Sequence, residues 1–423
     1  MNRRPPGIAN RPPAHALLFS LKLSTADAPT TEAALERLRE VQRQELRSEL
    51  PALTPASNKE APSPETGELG VADGYDRAFL TITIGLGRRV FELLGTPPEQ
   101  YPQDLEAIPW EKLGDTPDTA ENGDVLVQAC SDDIYINEHV LRRIQAELPD
   151  IFTVAWVIDG HQRYNTRSGR VSREEGRALI GFLDGTSNLD PRNSEEDAKL
   201  VFVDPGAVAS YPPLPTPAPG QPNPYGGQQP PEFPGDLRPP PGHEPEWATN
   251  GSYCVVRAST LDLARWDRET LGIQERTIGR FKYSGASLDL ADDVAELHAE
   301  PDFAANPSDE RVALDAHVRK VNPRGPGDAQ RRIFRRGYPL IEPLTGEARR
   351  GLLFIAFARS LSTQFEFIER AWRRNPEFPH AAAGVDLLVG FEHVLCGGYF
   401  FVPALEHANQ PWSWVLPAGA AGA

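Results

Sequence analysis

The feature that most constrains the fold of this chain is a proline-rich segment near its middle. Between Asp204 and Glu246 the sequence contains fifteen prolines, accompanied by Gly and Gln. Because proline fixes φ and lacks an N–H, neither a regular helix nor a central strand is expected here. The expected conformation is polyproline II or disorder. A loop inserted between two halves is a better interpretation than a ligand for a partner domain. The sequence therefore predicts an N-terminal half (1–203), an insertion (204–247) and a C-terminal half (248–423).

Each half alternates short apolar strands with helix-forming stretches. Strands are predicted over 16–23, 77–85, 124–130, 152–158, 251–258 and 352–358. Helices are predicted over 31–50 (with Thr31 as N-cap), 88–94, 137–148, 260–269 and 362–373. This alternation in two similar halves predicts an α+β fold built from two related units. It does not distinguish a parallel doubly wound sheet from antiparallel ferredoxin-like sheets.

Composition and charge limit the partners. The 423 residues are 39% hydrophobic and 24% charged, as in a globular protein. The net charge of −17 argues against nucleic acid and anionic membranes as partners, since both attract basic surfaces. No apolar run reaches the roughly 18 to 20 residues of a membrane span. The Arg3-Arg4 pair is not followed by the apolar stretch of a signal peptide, so a cytoplasmic location is expected.

The cysteines form no recognisable framework. Cys130, Cys254 and Cys396 are an odd number without close spacing. Such a set indicates neither a disulfide scaffold nor a zinc site. Buried free thiols in a reducing compartment are expected.

One carboxylate lies between glycines after an apolar run. The stretch Gly181-Phe182-Leu183-Asp184-Gly185 follows Ala178-Leu179-Ile180. Glycine lets the backbone turn tightly and lets a ligand approach closely, so Asp184 is a candidate functional acid. Taken alone, an Asp beside glycines is more often only a turn.

Three downstream segments change that assessment. His317-Val318-Arg319 is followed by Asn322-Pro323-Arg324, then by Arg335-Arg336-Gly337-Tyr338 and by the run from Gly351 to Phe357. In this order and at these separations, the segments and the Gly181–Gly185 motif closely resemble the dye-decolorising peroxidase family of haem enzymes. The resemblance extends, with gaps, from about Ala16 to Pro403.

The resemblance implies both a fold and a cofactor. The expected fold has two ferredoxin-like halves whose antiparallel sheets meet around a haem pocket, in a dimeric α/β-barrel-like arrangement. One haem b per chain is expected, and His317, one of nine histidines, matches the family's ligand of the haem iron. Arg319, two residues later, is a candidate partner for a haem propionate, although a surface role is equally compatible with the sequence.

The resemblance also assigns the chemistry of the opposite haem face. Cleavage of hydrogen peroxide needs an acid/base that carries a proton from one peroxide oxygen to the other, and a fixed cation for the developing charge. Asp184 matches the family's acid/base and Arg335 its arginine. Arg336 is the alternative, and a solvated basic face is the other interpretation of this arginine-rich run. Leu352 and Phe354 alternate along a predicted strand and match residues that wall the pocket, unless they only pack.

Two questions stay open. The second ring nitrogen of His317 needs a partner, for which Asp315, Asp386 and Glu392 are all candidates. A small pocket would also exclude bulky donors from the haem, so these would be oxidised at the surface through redox-active aromatic residues such as Tyr338, Trp372 and Tyr399.

The favoured function is thus a haem peroxidase that reduces hydrogen peroxide and oxidises dyes or phenols, best at acidic pH. The resemblance is compatible with a homo-oligomer. One alternative is a protein that handles haem or porphyrin as substrate. Another is an interaction protein that acts through its proline-rich segment.

Overall fold

The computed structural model describes residues 4–24, 27–46, 71, 76–162, 176–212, 225, 231–290, 301–303, 310–342 and 349–404. Residues 213–224 and 226–230 of the proline-rich segment lie outside these ranges, so its predicted conformation stays a prediction there.

The N-terminal half is a four-stranded antiparallel sheet with helices on it. Its strands are β1 (His15–Leu23), β2 (Thr81–Leu86), β3 (Val125–Ser131) and β4 (Phe152–His161), in the order β4-β1-β3-β2. Its helices are α1 (Ala28–Glu45), α2 (Arg88–Leu93), α3 (Trp110–Leu113) and α4 (Ile134–Glu147). This chain order and pairing are those of a ferredoxin-like unit.

The C-terminal half repeats the same strand order. Helix α5 (Glu195–Val201) precedes β5 (Ser252–Leu261), β6 (Phe334–Arg335), β7 (Tyr338–Ile341), β8 (Arg350–Ala358) and β9 (Glu392–Val402). The sheet runs β9-β5-β8-β6, and β7 also pairs with β8, so the second strand of the unit is split in two. The helices are α6 (Leu263–Trp266), α7 (Leu271–Ile278), α8 (His317–Val321) and two π-helical stretches, Leu361–Phe365 and Ile368–Arg373.

A single pairing, Leu86 with Phe401, joins the two units into one nine-stranded sheet. The antiparallel α+β architecture with two ferredoxin-like halves is therefore confirmed. The barrel-like closure is wrong for the described residues, because the hydrogen-bonded path ends at β4 on one side and at β6 on the other.

Several predicted helix boundaries differ from the structure, including the start of α1 and the start of the helix predicted over 260–269. Helix α1 is capped by Asp27, whose carboxylate accepts from Thr30 N, and not by Thr31, which is buried and donates its hydroxyl to Asp27 O. The helix predicted over 260–269 is wrong at its start, because β5 continues to Leu261 and Asp262 then caps the short α6. The side chain of Asp is a strong N-cap in both places.

Two further findings concern the whole chain. Cys130, Cys254 and Cys396 are free thiols and all are buried, as predicted. Among the described residues, none of the helices has the length and apolarity that crossing a membrane requires.

The described part of the proline-rich segment is packed against the protein. It holds a short 3-10 helix, Pro205–Ser210, while 231–245 forms no helix or strand. Arg238 forms ion pairs with the buried Asp104 and with Glu366. Glu244 accepts from the Tyr253 hydroxyl (2.6 Å) and from Gln103 N (2.9 Å). Residues 231–246 are thus anchored through buried polar contacts.

The buried Glu244 predicts an unusual pH dependence of stability. Burial raises its pKa from 4.5 to about 7, so the folded protein holds this proton more tightly than the unfolded chain. The resulting stability is present below about pH 4.5 and is lost as the pH rises to about 7. We expect Glu244→Gln to stabilise the protein at pH 8 by up to about 3 kcal/mol relative to its effect at pH 5, as measured by urea unfolding. An identical pH dependence in both proteins would contradict this.

Candidate functional site

A cavity of about 1680 Å³, counted to its mouth, lies beside β8. Five of the six side chains predicted for the site line it: Asp184, His317, Arg335, Leu352 and Phe354.

The loop that carries Asp184 is held in a tight conformation. Gly181 and Gly185 have φ of +88° and +81°, which disfavours any side chain at either position. Asp184 N donates to Gly176 O (2.7 Å), and Asp184 Oδ1 accepts from Gly185 N (2.7 Å). The other oxygen, Oδ2, lies beside Gly337, 3.6 Å from the point that a Cβ there would occupy. Asp184 therefore has a fixed backbone and one carboxylate oxygen with no hydrogen bond from the described residues.

Arg335 is locked to the same loop. Asn188 Nδ2 donates to Arg335 O (2.7 Å), and Arg335 N donates to Asn188 Oδ1 (3.0 Å). The guanidinium donates to Thr186 O (2.7 Å). Burial lowers the pKa of Arg335, and the nearby carboxylate of Asp184 opposes that shift. The cation and the carboxylate thus interact within one rigid arrangement.

The other arginines of the run are held by the protein rather than solvated as a basic face. Arg331 is buried with its guanidinium carbon 3.5 Å from the centre of the Phe367 ring. Arg336 is buried and donates to Ile8 O (3.1 Å) and to Asn10 O (2.5 Å). Arg335, and not the alternative Arg336, therefore reaches the cavity that also holds His317.

His317 is the first residue of α8, and Asp386 is its partner. The Nδ1–H of His317 donates to Asp386 Oδ2 at 2.8 Å. Burial alone would raise the pKa of Asp386, but His317 and Arg373 outweigh it and hold this pKa well below its usual value. Of the other candidates, Asp315 pairs with Arg276 (3.3 Å) and Glu392 with Arg373 (2.6 Å). Nδ1 therefore carries the ring proton, which leaves Nε2 available as a metal ligand.

Arg319 does not reach the cavity, so its expected contact with a haem propionate does not fit this structure. It is buried, donates to Val312 O (3.1 Å) and Tyr225 O (3.3 Å), and lies over the Phe303 ring. Besides Arg335, five arginines line the cavity, and sequence reasoning assigned none of them to the site: Arg257, Arg280, Arg324, Arg332 and Arg373. Arg324 belongs to the Asn322-Pro323-Arg324 motif, so the sequence resemblance could have predicted its place in the site.

Leu352 and Phe354 alternate on β8, and both line the cavity. The Phe354 ring packs against Phe365 with centroids 6.0 Å apart. Together with Ile180, Phe182 and Ile278 they give the cavity apolar walls.

A second cavity meets the first at Asp184, Arg335 and Gly337. Its lining includes Asn10 and Gln162 from the N-terminal half, and its volume is about 2240 Å³ including its open mouth. Asp184 can therefore be reached from the side that does not contain His317. This cavity was not predictable from the sequence, because its walls come from segments that are distant along the chain.

The aromatic residues suggested for surface oxidation are all buried. Tyr338, Trp372 and Tyr399 are at most 1% exposed. None of them can touch a bulky donor directly. Exposed tyrosines in the described part include Tyr135 and Tyr283.

These residues fit a haem. A histidine with a fixed tautomer lies in a cavity with apolar walls that also holds an acid/base candidate and Arg335. The arginines that line the cavity can pair with propionates.

Comparisons of the sequence with known proteins identify a family. The family model described as "Dyp-type peroxidase, N-terminal" matches residues 7–162. The model described as "Dyp-type peroxidase, C-terminal" matches residues 231–407. A deferrochelatase of Shigella sonnei is 31% identical over 363 residues, covering 83% of this chain and 72% of the relative. The deferrochelatase of Escherichia coli K12 is 30% identical over the same length, with the same coverage.

Solved structures resemble the fold as well. A DyP-type peroxidase from Streptomyces coelicolor has a TM-score of 0.71 and 25% identity, covering 95% of this chain and 92% of its own. One from Cellulomonas bogoriensis has a TM-score of 0.65, 26% identity and the same coverage. The chain therefore belongs to the dye-decolorising (Dyp-type) peroxidase family, whose members are haem peroxidases that use hydrogen peroxide.

Proposed function

We propose that this protein binds one haem b per chain through His317, reduces hydrogen peroxide with Asp184 and Arg335, and oxidises bulky aromatic donors such as dyes or phenols. The observation that carries this proposal is that one cavity is lined by a histidine with a fixed tautomer, by an acid, and by an arginine that is hydrogen-bonded to the loop carrying the acid. When bound, the haem supplies the redox-active iron at which the peroxide bond is cleaved.

The side chains of the site have separate roles in the proposed reaction. Nε2 of His317 would bind the haem iron, and Asp386 orients the ring and makes it a stronger donor. Asp184 accepts a proton from one peroxide oxygen and returns it to the other, so that water can leave. Arg335 stabilises the negative charge that develops during this transfer. Arg280, Arg324 and Arg332 would hold the haem propionates, and Leu352 and Phe354 would limit water in the pocket.

The second cavity supports a route for the peroxide. It reaches Asp184 and Arg335 past Gly337, which lines both cavities. A Cβ at Gly337 would lie 3.4 Å from Leu352 Cδ1 and 3.6 Å from Asp184 Oδ2, which are ordinary contacts. Alanine therefore fits, but its methyl group narrows the passage.

We expect Gly337→Ala to fold and bind haem normally, yet to react several times more slowly with hydrogen peroxide. The second-order rate constant for peroxide, measured by stopped-flow absorption, tests this. Oxidation of the aromatic donor, once peroxide has reacted, should be unchanged. An unaltered rate constant would show that hydrogen peroxide does not pass Gly337 on its way to Asp184.

The aromatic donor would be oxidised away from the haem. Since Tyr338, Trp372 and Tyr399 are buried, they can serve only as internal electron carriers, and an exposed group must meet the donor.

The proposed function is tested with the haem-reconstituted protein. We expect a histidine-ligated absorption spectrum, hydrogen peroxide consumption and oxidation of an anthraquinone dye, with the haem intact after many turnovers. A protein that binds no haem would refute the proposal.

A second candidate is haem handling, in which haem or porphyrin is the substrate. The relatives described as deferrochelatases favour it. The same experiment separates the two functions, because haem handling predicts that the haem is consumed and iron-free porphyrin appears in the absorption or fluorescence spectrum.

A further inference from the structure

The carboxylate behind His317 accepts two hydrogen bonds through one oxygen atom. Asp386 Oδ2 accepts from His317 Nδ1–H at 2.8 Å and from Arg373 Nε–H at 2.9 Å. The other oxygen accepts from Leu388 N at 3.0 Å, and Asp386 is fully buried. The negative charge that polarises the imidazole is therefore shared with a guanidinium at the same atom.

Arg373 is held in this position by a closed array of charges. Its Nη1 donates to Glu369 (3.1 Å) and its Nη2 to Glu392 (2.6 Å). Arg257 donates to the same two carboxylates, at 3.1 and 2.8 Å. All four side chains line the cavity, and the two arginines are almost wholly buried. These contacts hold the guanidinium of Arg373 against Asp386, so its effect on the charge of that carboxylate is constant.

We propose that Arg373 is a positioning residue that limits how strongly Asp386 polarises His317, and so adjusts electron donation to a bound haem iron. The inference rests on the proposed function, because it takes His317 as the axial ligand. A carboxylate that accepts from the ring N–H makes imidazole a stronger donor, which favours the oxidised iron. A guanidinium on the same oxygen withdraws part of that charge and opposes the effect.

The two arginines of the array give a matched pair of variants. In Arg373→Gln the oxygen of Asp386 is left to His317 alone, so the iron–histidine stretching band of the reduced protein should move to higher frequency in resonance Raman spectra. The midpoint potential of the haem should become more negative. Arg257→Gln removes the same charge from the same array but does not touch Asp386. It should lower the potential through space while leaving the iron–histidine band in place.

Loss of a buried charge can prevent folding, so Arg373→Lys is the second variant. Lysine keeps the positive charge but lacks the Nε–H that contacts Asp386. We expect the band to move as in Arg373→Gln, with a smaller change in potential.

An unchanged band in both Arg373 variants, or an equal shift in Arg257→Gln, would overturn the inference. Failure of the proposed function looks different, because the wild type itself would then bind no haem or show no iron–histidine band.

Discussion

Replacing Asp184 with Asn is expected to slow the reaction with hydrogen peroxide by about 10²–10⁴-fold, the usual contribution of a positioned acid/base. The amide has nearly the same shape, and its oxygen can still accept from Gly185 N, so the loop and its contacts to Arg335 should persist. What is lost is the ability to take a proton from peroxide. The rate constant from stopped-flow mixing with peroxide measures this directly, and haem binding should be unaffected.

Asp190 provides the matched control. It lies six residues further along the same loop and lines the second cavity but not the first. Its carboxylate accepts from Asn193 Nδ2 (2.8 Å), a contact within the loop. Asp190→Asn should therefore keep nearly the wild-type rate. If Asp184→Asn also kept it, the acid/base would be another group, and the resemblance of the Gly181–Gly185 motif would not extend to its chemistry.

Periodicity and resemblance predicted the fold well. Continuous apolar runs identify β1, β3 and β8, because these strands bury side chains on both faces of the sheet. The split of one strand into β6 and β7 was not predictable, since it depends on where Gly337 interrupts pairing with β8. Nor was the open edge of the sheet, because closure depends on contacts between distant strands.

The functional site was also predicted only in part from the sequence. His317 and Arg319 are two positions apart on α8, so their side chains are about 200° apart around the helix axis. If His317 faces the cavity, Arg319 must face away, and helix geometry could have excluded it once α8 was known. Asp386 was one of three candidates, and only the path of the chain after Arg373 brings it to His317. Tyrosine and tryptophan are found both buried and exposed, so their types alone could not show that Tyr338 and Trp372 are enclosed.

Replacing His317 with Ala is expected to abolish tight haem binding. Loss of a mere partner of a metal ligand commonly costs about 10–100-fold in affinity, so loss of the ligand itself should cost more. The variant should still fold, because Asp386 keeps Arg373 and Leu388 N as hydrogen-bond donors and is not left as an unpaired buried charge. Haem titration followed by the Soret absorption gives the affinity, and added imidazole should restore part of it by entering the vacated space.

His393→Ala is the control for His317→Ala. His393 is exposed, pairs with Asp118 and does not line the cavity. It should bind haem as the wild type does. If instead His317→Ala kept the wild-type spectrum and affinity, the iron would be ligated elsewhere. The hydrogen bond to Asp386 would then be only a structural contact, since its role as an orienting partner depends on Nε2 meeting the metal.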